Sequence, residues 1–303
     1  IRLSSSEGRT LNHIPARTKT PDDSTRSDRA LVRRIPMPAS AQPPASLHDG
    51  PRHIDVYLRV LSALMLRDMR SRFGGNYWGY LVQVLWPCAH LGILVGVMAF
   101  RGVKAAITDS SMLFIATGAL PALAFQYVSR EVMKGYLIHK PLTYFPQVKK
   151  FDTVVARCLV EIVSSFLGLT LICVVLLCFG VDPRPADMFT ATTGYLAALG
   201  LGIGVGFINV GICSVFPGWV LGYILIKIIL YMSSGVYFLS CFMPDEIYYY
   251  MKWNPVTQLI DWVRLGYEPT LPVQVDYLYV FGWIFGSVTI GLLMERFVVR
   301  AQQ

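Results

Sequence analysis

Charge is scarce in this chain. Only 15% of its 303 residues are Asp, Glu, Lys or Arg, against about 25% in soluble domains. With a mean hydropathy of +0.48, that deficit argues against a cytosolic protein. No Gly-x-x-x-x-Gly-Lys-Ser/Thr phosphate loop occurs, so the chain is not expected to bind or hydrolyse ATP by itself. HExxH and GxSxG are missing too, and His13, His48, His53, His90 and His139 have no metal-ligand spacing, which excludes the common metallo- and serine hydrolases. The cysteines (Cys88, Cys158, Cys173, Cys178, Cys213, Cys241) form no CxxC and read as small buried hydrophobes. Zinc-finger, RNA-recognition and basic-zipper patterns are lacking, so the net charge of +8 is not a nucleic-acid signal. A polar stretch of some fifty residues at the start predicts no cleavable signal peptide. No cofactor is expected on this chain.

What is present is apolar length. Six stretches, roughly 81–100, 111–129, 154–180, 191–215, 219–243 and 277–295, approach the roughly 20 residues that cross a hydrocarbon core. The fold predicted is all-α: a polytopic membrane protein with six transmembrane helices. Lys and Arg fall unevenly between them. Segment 52–72, loop 130–157 and the C-terminal tail carry thirteen, against five on the other side (Arg101, Lys104, Arg184, Lys252, Arg264). By the positive-inside rule both termini are cytoplasmic.

Around the spans the texture varies. Residues 1–50 are rich in Ser, Thr, Pro and Arg and cannot bury enough apolar surface to offset their ordering entropy, so they read as a disordered cytoplasmic tail. Residues 51–303 form the membrane domain. Within it Ile54, Leu58, Leu61, Met65 and Met69 recur at helical spacing among arginines, predicting an amphipathic interfacial helix over 54–72 that turns at Gly74-Gly75. Segment 244–270 is too aromatic for a free loop and too broken for a seventh span. It reads as short re-entrant or interfacial helices on the outer face, since irregular backbone at membrane depth survives only against protein or a water-filled cavity.

Few residues offer chemistry. Glu161 lies four residues beyond Arg157, a spacing that fits a local ion pair better than a transport role. Lys227 either snorkels to the headgroups or faces a conduit or partner helix. Tyr237, Phe238, Tyr248, Tyr249, Tyr250 and Trp253 crowd one region. They make either an interfacial aromatic belt or a wall on which a sugar polymer slides by weak repeated contacts.

Leu66-Arg67-Asp68-Met69-Arg70-Ser71-Arg72-Phe73-Gly74, Gly79-Tyr80-Leu81, Pro87 and Ala89-His90-Leu91 resemble the approach to the first span in bacterial capsular polysaccharide ABC exporter permeases. The likeness continues through Val148-Lys149, Asp152-Thr153, Ala156-Arg157 and Glu161. It returns at Tyr237-Phe238-Leu239-Ser240-Cys241 with Pro244, and at Trp253-Asn254-Pro255 with Arg264. Each block is weak alone; their order and spacing over about 57–295 make the set fairly specific. Two features depart from it: Trp86 stands where a Glu commonly precedes the span-one proline, and the N-terminal extension lies outside the pattern.

The resemblance implies a homodimer of six-span subunits in a bacterial inner membrane, paired with two separate ATPase subunits that bind ATP and Mg. The implied cargo is a lipid-linked anionic polysaccharide, passed from cytoplasm to periplasm and on to periplasmic and outer-membrane export proteins. On this reading segment 130–153, with Lys134, His139, Lys140, Pro141, Lys149 and Lys150, is the coupling contact with the ATPase. Arg67, Arg70 and Arg72 lie at the cytoplasmic mouth of the substrate path, with Lys227 and the six aromatics further along it. Other cargo (O-antigen, teichoic-type polymer, lipid or drug) would suit the same architecture. An ion-coupled transporter acting alone is the rival of a different class.

Overall fold

The computed structural model describes residues 53–72, 77–100, 110–138 and 150–300, and among these every regular element is helical. The expected tail over 1–50, the Gly74-Gly75 turn, and His139, Lys140, Pro141 and Lys149 lie outside the described residues. The helices are α1 His53–Arg72, α2 Tyr77–Phe100, α3 Ser111–Ile138, α4 Lys150–Cys178, α5 Met188–Val215, α6 Trp219–Met232, α7 Asp245–Met251, α8 Pro255–Tyr267 and α9 Tyr277–Met294, with a π-helical turn continuing α9 over Glu295–Val299. Four are long and apolar enough to cross a membrane: Ser111–Tyr136, Phe151–Cys178, Met188–Val215 and Tyr277–Val299.

Helix α5 is the centre, packed against α3, α8 and α9. It is apolar all round and studded with small residues, as a helix enclosed by other helices must be. At Gly202 and Gly206 an added Cβ would lie 3.0 and 2.8 Å from Val128 and Val132 of α3, so the two backbones pack as closely as glycine permits. Phe114, Ile115, Phe125, Leu201, Leu259 and Ile260 fill the space where α3, α5 and α8 meet. The start of α5 is fixed by Asp187, whose carboxylate accepts from the Phe189 and Thr190 amides and the Thr190 hydroxyl. The Thr190 hydroxyl foremost, then the amides, holds that carboxyl below its usual range.

Over the fifth apolar stretch, 219–243, the regular helix ends before the apolar run does. Helix α6 has 14 residues, about 21 Å at 1.5 Å per residue, short of the ~30 Å hydrocarbon core. Beyond it Gly235 takes φ 81°, a left-handed conformation that glycine adopts without the Cβ penalty. The chain then runs without regular structure to a 3₁₀ turn at Ser240–Phe242 and into α7. Segment 244–270 does form two short helices. The cysteines are all free thiols, but only Cys158 and Cys213 are buried, and Cys178 is exposed.

Candidate functional site

Three places concentrate polar groups. The first lies toward the end of α3 and the start of α4. Arg157 of α4 is 3% exposed and reaches three carboxylates. Nη1 donates to Asp68 of α1, Nη2 to Glu131 Oε2 of α3 at 2.6 Å, and Nε lies 3.9 Å from Glu161 Oε1. Glu131 Oε1 also accepts from Arg130 Nε at 3.0 Å and Lys134 Nζ at 3.1 Å. Three cations thus meet three carboxylates, which is how buried charge survives outside water. The planar guanidinium alone can serve several carboxylates at once.

Beside this clasp the start of α6 is tied down. Trp219 Nε1 donates to Asn209 Oδ1 of α5 at 2.8 Å, and the Tyr223 hydroxyl to Ser129 Oγ of α3 at 2.6 Å. Lys227, one turn further, is half-buried and within electrostatic reach of Arg130, Lys134 and Glu131. Deeper in the chain, His90 of α2 hydrogen-bonds the Tyr231 hydroxyl at 2.9 Å.

The second place is Arg264 of α8, 1% exposed and therefore no loop cation. Its Nη1 donates to the carbonyls of Gly235 and Phe238 at 2.9 and 3.0 Å, and Nη2 to that of Val236 at 3.2 Å. Its guanidinium carbon sits 4.5 Å from the centre of the Phe114 ring. The carbonyls left without helical partners by the break after α6 are those this arginine holds, meeting the requirement that low-dielectric backbone be satisfied. Gly118 makes room: a Cβ there would stand 2.7 Å from Arg264 Nη2. Next to it Asp261 accepts from Ser240 Oγ at 2.6 Å.

The third place is a cleft of about 680 Å³ between the α7–α8 turn and the start of α9, lined by Tyr248, Lys252, Trp253, Gln274, Tyr277 and Tyr279 among others. The six aromatics, neighbours in the sequence and read there as either a belt or a wall, divide between several places. Tyr248 and Trp253 face this cleft, Tyr250 lines a second hollow on the other side of α7 with Glu246 and Asn254, and Tyr237 packs edge-on against Tyr231 at 6.0 Å. Tyr249 lies edge-on to Tyr250 at 5.5 Å, and Phe238 is half-buried beside Gly235. Arg67 and Arg70 are exposed on α1, Lys134 is paired with Glu131, and Lys150 opens α4; the side chains of Arg72 and Lys150 lie outside the described residues.

Sequence reasoning found the Arg157–Glu161 pair but missed Asp68 and Glu131 as its larger partners. Asp68 stands within an arginine-rich helix and Glu131 beside Arg130, positions that give no local sign of burial. Gln258, buried in α8, carried no signal at all.

No family model matches the chain. Individual proteins do. The polysialic acid transport protein KpsM of Escherichia coli is 28% identical over 251 residues, covering 78% of this chain and 92% of the relative. The chain is related to inner-membrane proteins of capsule polysaccharide export. CtrC of Neisseria meningitidis serogroup B, so described, is 24% identical across 69% of the chain and 79% of its own length. BexB of Haemophilus influenzae is 22% identical across 80% and 90%. The aligned stretches are long enough to take in most of the helical unit rather than one motif.

Proposed function

We propose that this chain is the transmembrane permease subunit of an ATP-driven exporter that carries capsular polysaccharide, lipid-linked and anionic, across a bacterial inner membrane. The observation that carries the reading is the similarity over most of both chains to capsule polysaccharide export proteins. The helical bundle with four long apolar helices supports it. Two shorter apolar pieces, Leu85–Met98 and Trp219–Met232, bring the proposed number of spans to six, α6 crossing with help from the irregular chain that follows. Both termini and the α3–α4 connection then face the cytoplasm, by the positive-inside rule.

A separate ATPase, two copies for two permease subunits, supplies the force. It docks on segment 130–153. The clasp explains how a push there would spread: Glu131 and Arg157 each lie about two helical turns from the connection, and Arg157 also grips α1 through Asp68. Displacing the connection therefore displaces α1, α3 and α4 together. Helices α2 and α6 present exposed apolar faces, with Trp86, Ile93 and Val97 on one and Leu221, Leu225 and Ile229 on the other. A second copy of the chain meets these faces, and the path opens between the two bundles. Arg67, Arg70 and Arg72 sit at its mouth, where headgroup attraction is worth about 1 kcal/mol per basic residue.

The test is a null strain. Polymer should accumulate inside the cells and leave the surface, and the chain should co-purify with a phosphate-loop ATPase. Replacing residues 140–150 with Gly and Ser should abolish co-purification while membrane insertion persists. Normal surface polymer in the null strain would reject the function.

A further inference from the structure

The two walls of the cleft beside α7 are joined by hydrogen bonds between residues of its own lining. Gln258, buried at 5% exposure, donates from Nε2 to the Lys252 carbonyl at 3.2 Å and accepts at Oε1 from the Asp276 amide at 3.1 Å. One amide group thus joins both walls. The Tyr279 hydroxyl makes a second bridge to the Trp253 carbonyl, and the two rings meet edge-on at 6.0 Å. Walls tied twice keep their spacing with nothing bound, so binding there costs little ordering.

The groups left facing the opening are of mixed kind. Lys252 Nζ rests 4.5 Å above the Tyr249 ring and 5.9 Å from that of Trp253. Among the described residues it makes no ion pair. Asp276 lies on the opposite wall, with one oxygen capping α9 through the Tyr279 amide. Gln274 adds an amide, and Tyr248 and Tyr277 add rings with hydroxyls. A bare anion gains little from a cleft that also holds a carboxylate. A molecule carrying both a carboxylate and several hydroxyls satisfies every group: its charge meets Lys252, its hydroxyls donate to Asp276 and Gln274, and its ring face lies on aromatic carbon. The volume falls within the ~300–1,000 Å³ of small-ligand sites, enough for a few sugar units and not for a long chain.

We propose that this cleft binds a short stretch of acidic, carboxylate-bearing saccharide, with Lys252 as the residue that selects for the acid. The proposal rests on the export reading only for the identity of the cargo; the cleft and its ties stand apart from it.

The experiment uses the full chain with its ATPase in phosphatidylcholine nanodiscs, so that no anionic headgroup competes. The probe is an α2,8-linked sialic acid hexamer, set against its carboxyl-reduced form. Wild type should bind the acid form at least tenfold more tightly than the reduced one. Lys252→Gln should weaken the acid form about tenfold, the scale of one charge-assisted hydrogen bond, and leave the reduced form unchanged. Lys252→Arg should stay within about threefold of wild type, since the charge is kept. Equal affinity for both forms, no binding, or no effect of Lys252→Gln would overturn the proposal. So would a Lys252-dependent signal from phosphatidylglycerol discs alone, which would give the lysine to lipid. Export is scored in the null strain in parallel. Normal export through Lys252→Gln with no Lys252-dependent binding discards the cleft and keeps the transport reading. Surface polymer that never depended on the chain removes that reading, and with it the cargo assigned to this cleft.

Discussion

Arg157 and Arg264 are both buried, one toward each end of α3, yet their partners differ in kind. Arg157 is met by carboxylates from three helices. Arg264 is met by three backbone carbonyls and an aromatic face. The first arginine joins regular helices that are far apart in sequence, and its pairing depends on charge. The second fills the gap in one irregular stretch, and its pairing depends on shape and hydrogen bonding. Charge pairing of the first kind ties separate helices to one another; a short helix that breaks inside the bundle requires the second.

The largest effect should come from breaking the first. Arg157→Leu leaves three carboxylates around a missing cation, and should destabilise the protein by about 3–5 kcal/mol, read as a lowered denaturation midpoint in detergent. Stability equal to wild type would mean that the carboxylates have other partners. Adding Asp68→Asn and Glu131→Gln to that variant should recover part of the loss, because the negative charges then crowded together without the guanidinium between them are reduced.

Arg264→Leu should cost roughly 3 kcal/mol, as carbonyls that water cannot reach lose their donors. Here neutralising a neighbour should help less: Asp261 lies within electrostatic reach of Arg264, but the three carbonyls stay without donors whatever its charge, so Asp261→Asn added to Arg264→Leu should recover only a minor part of the loss. Recovery as large as at the Arg157 site would erase the contrast between the two sites. Gly118→Ala places a methyl group against the Arg264 guanidinium and should cost about 1–3 kcal/mol by overpacking, measured in the same assay. The same change at Gly92, where an added Cβ meets nothing within 4 Å, should be close to neutral.

A smaller loss than at either arginine is expected at Asn254. Its side chain caps α8 through the Val256 amide and donates to the Leu230 carbonyl at the end of α6. Asn254→Ala should lose about 1 kcal/mol, the usual scale of a helix cap.

Much of this fold could be read in advance, and the reasons are local. Apolar runs marked α3, α4, α5 and α9, because a long buried helix writes itself as composition. Asn254 caps α8 and Pro255 stands in its first turn, a start signal that is local in the sequence. Phe216-Pro217-Gly218 between two apolar runs became the α5–α6 turn. The 14-residue length of α6 was hidden, because hydropathy continues through Val236 and Leu239 after the helix has stopped. Ser233, Ser234 and Gly235 were the only local hint.

Partners brought together by folding could not be read. The sequence separation of Arg157 from Asp68 is 89 residues and of Arg264 from Gly235 is 29, and neither spacing follows a helical or strand period. The aromatic cluster shows the same limit. Seven residues of α7 point in every direction, so neighbours in the chain such as Tyr248 and Tyr250 face different hollows.

Inside-out membrane vesicles offer the most direct test of the account. Vesicles holding this chain and its ATPase should take up lipid-linked acidic polysaccharide when ATP is added, and none when either protein or the nucleotide is left out. Uptake by the chain alone, driven by an ion gradient without ATP, would contradict it.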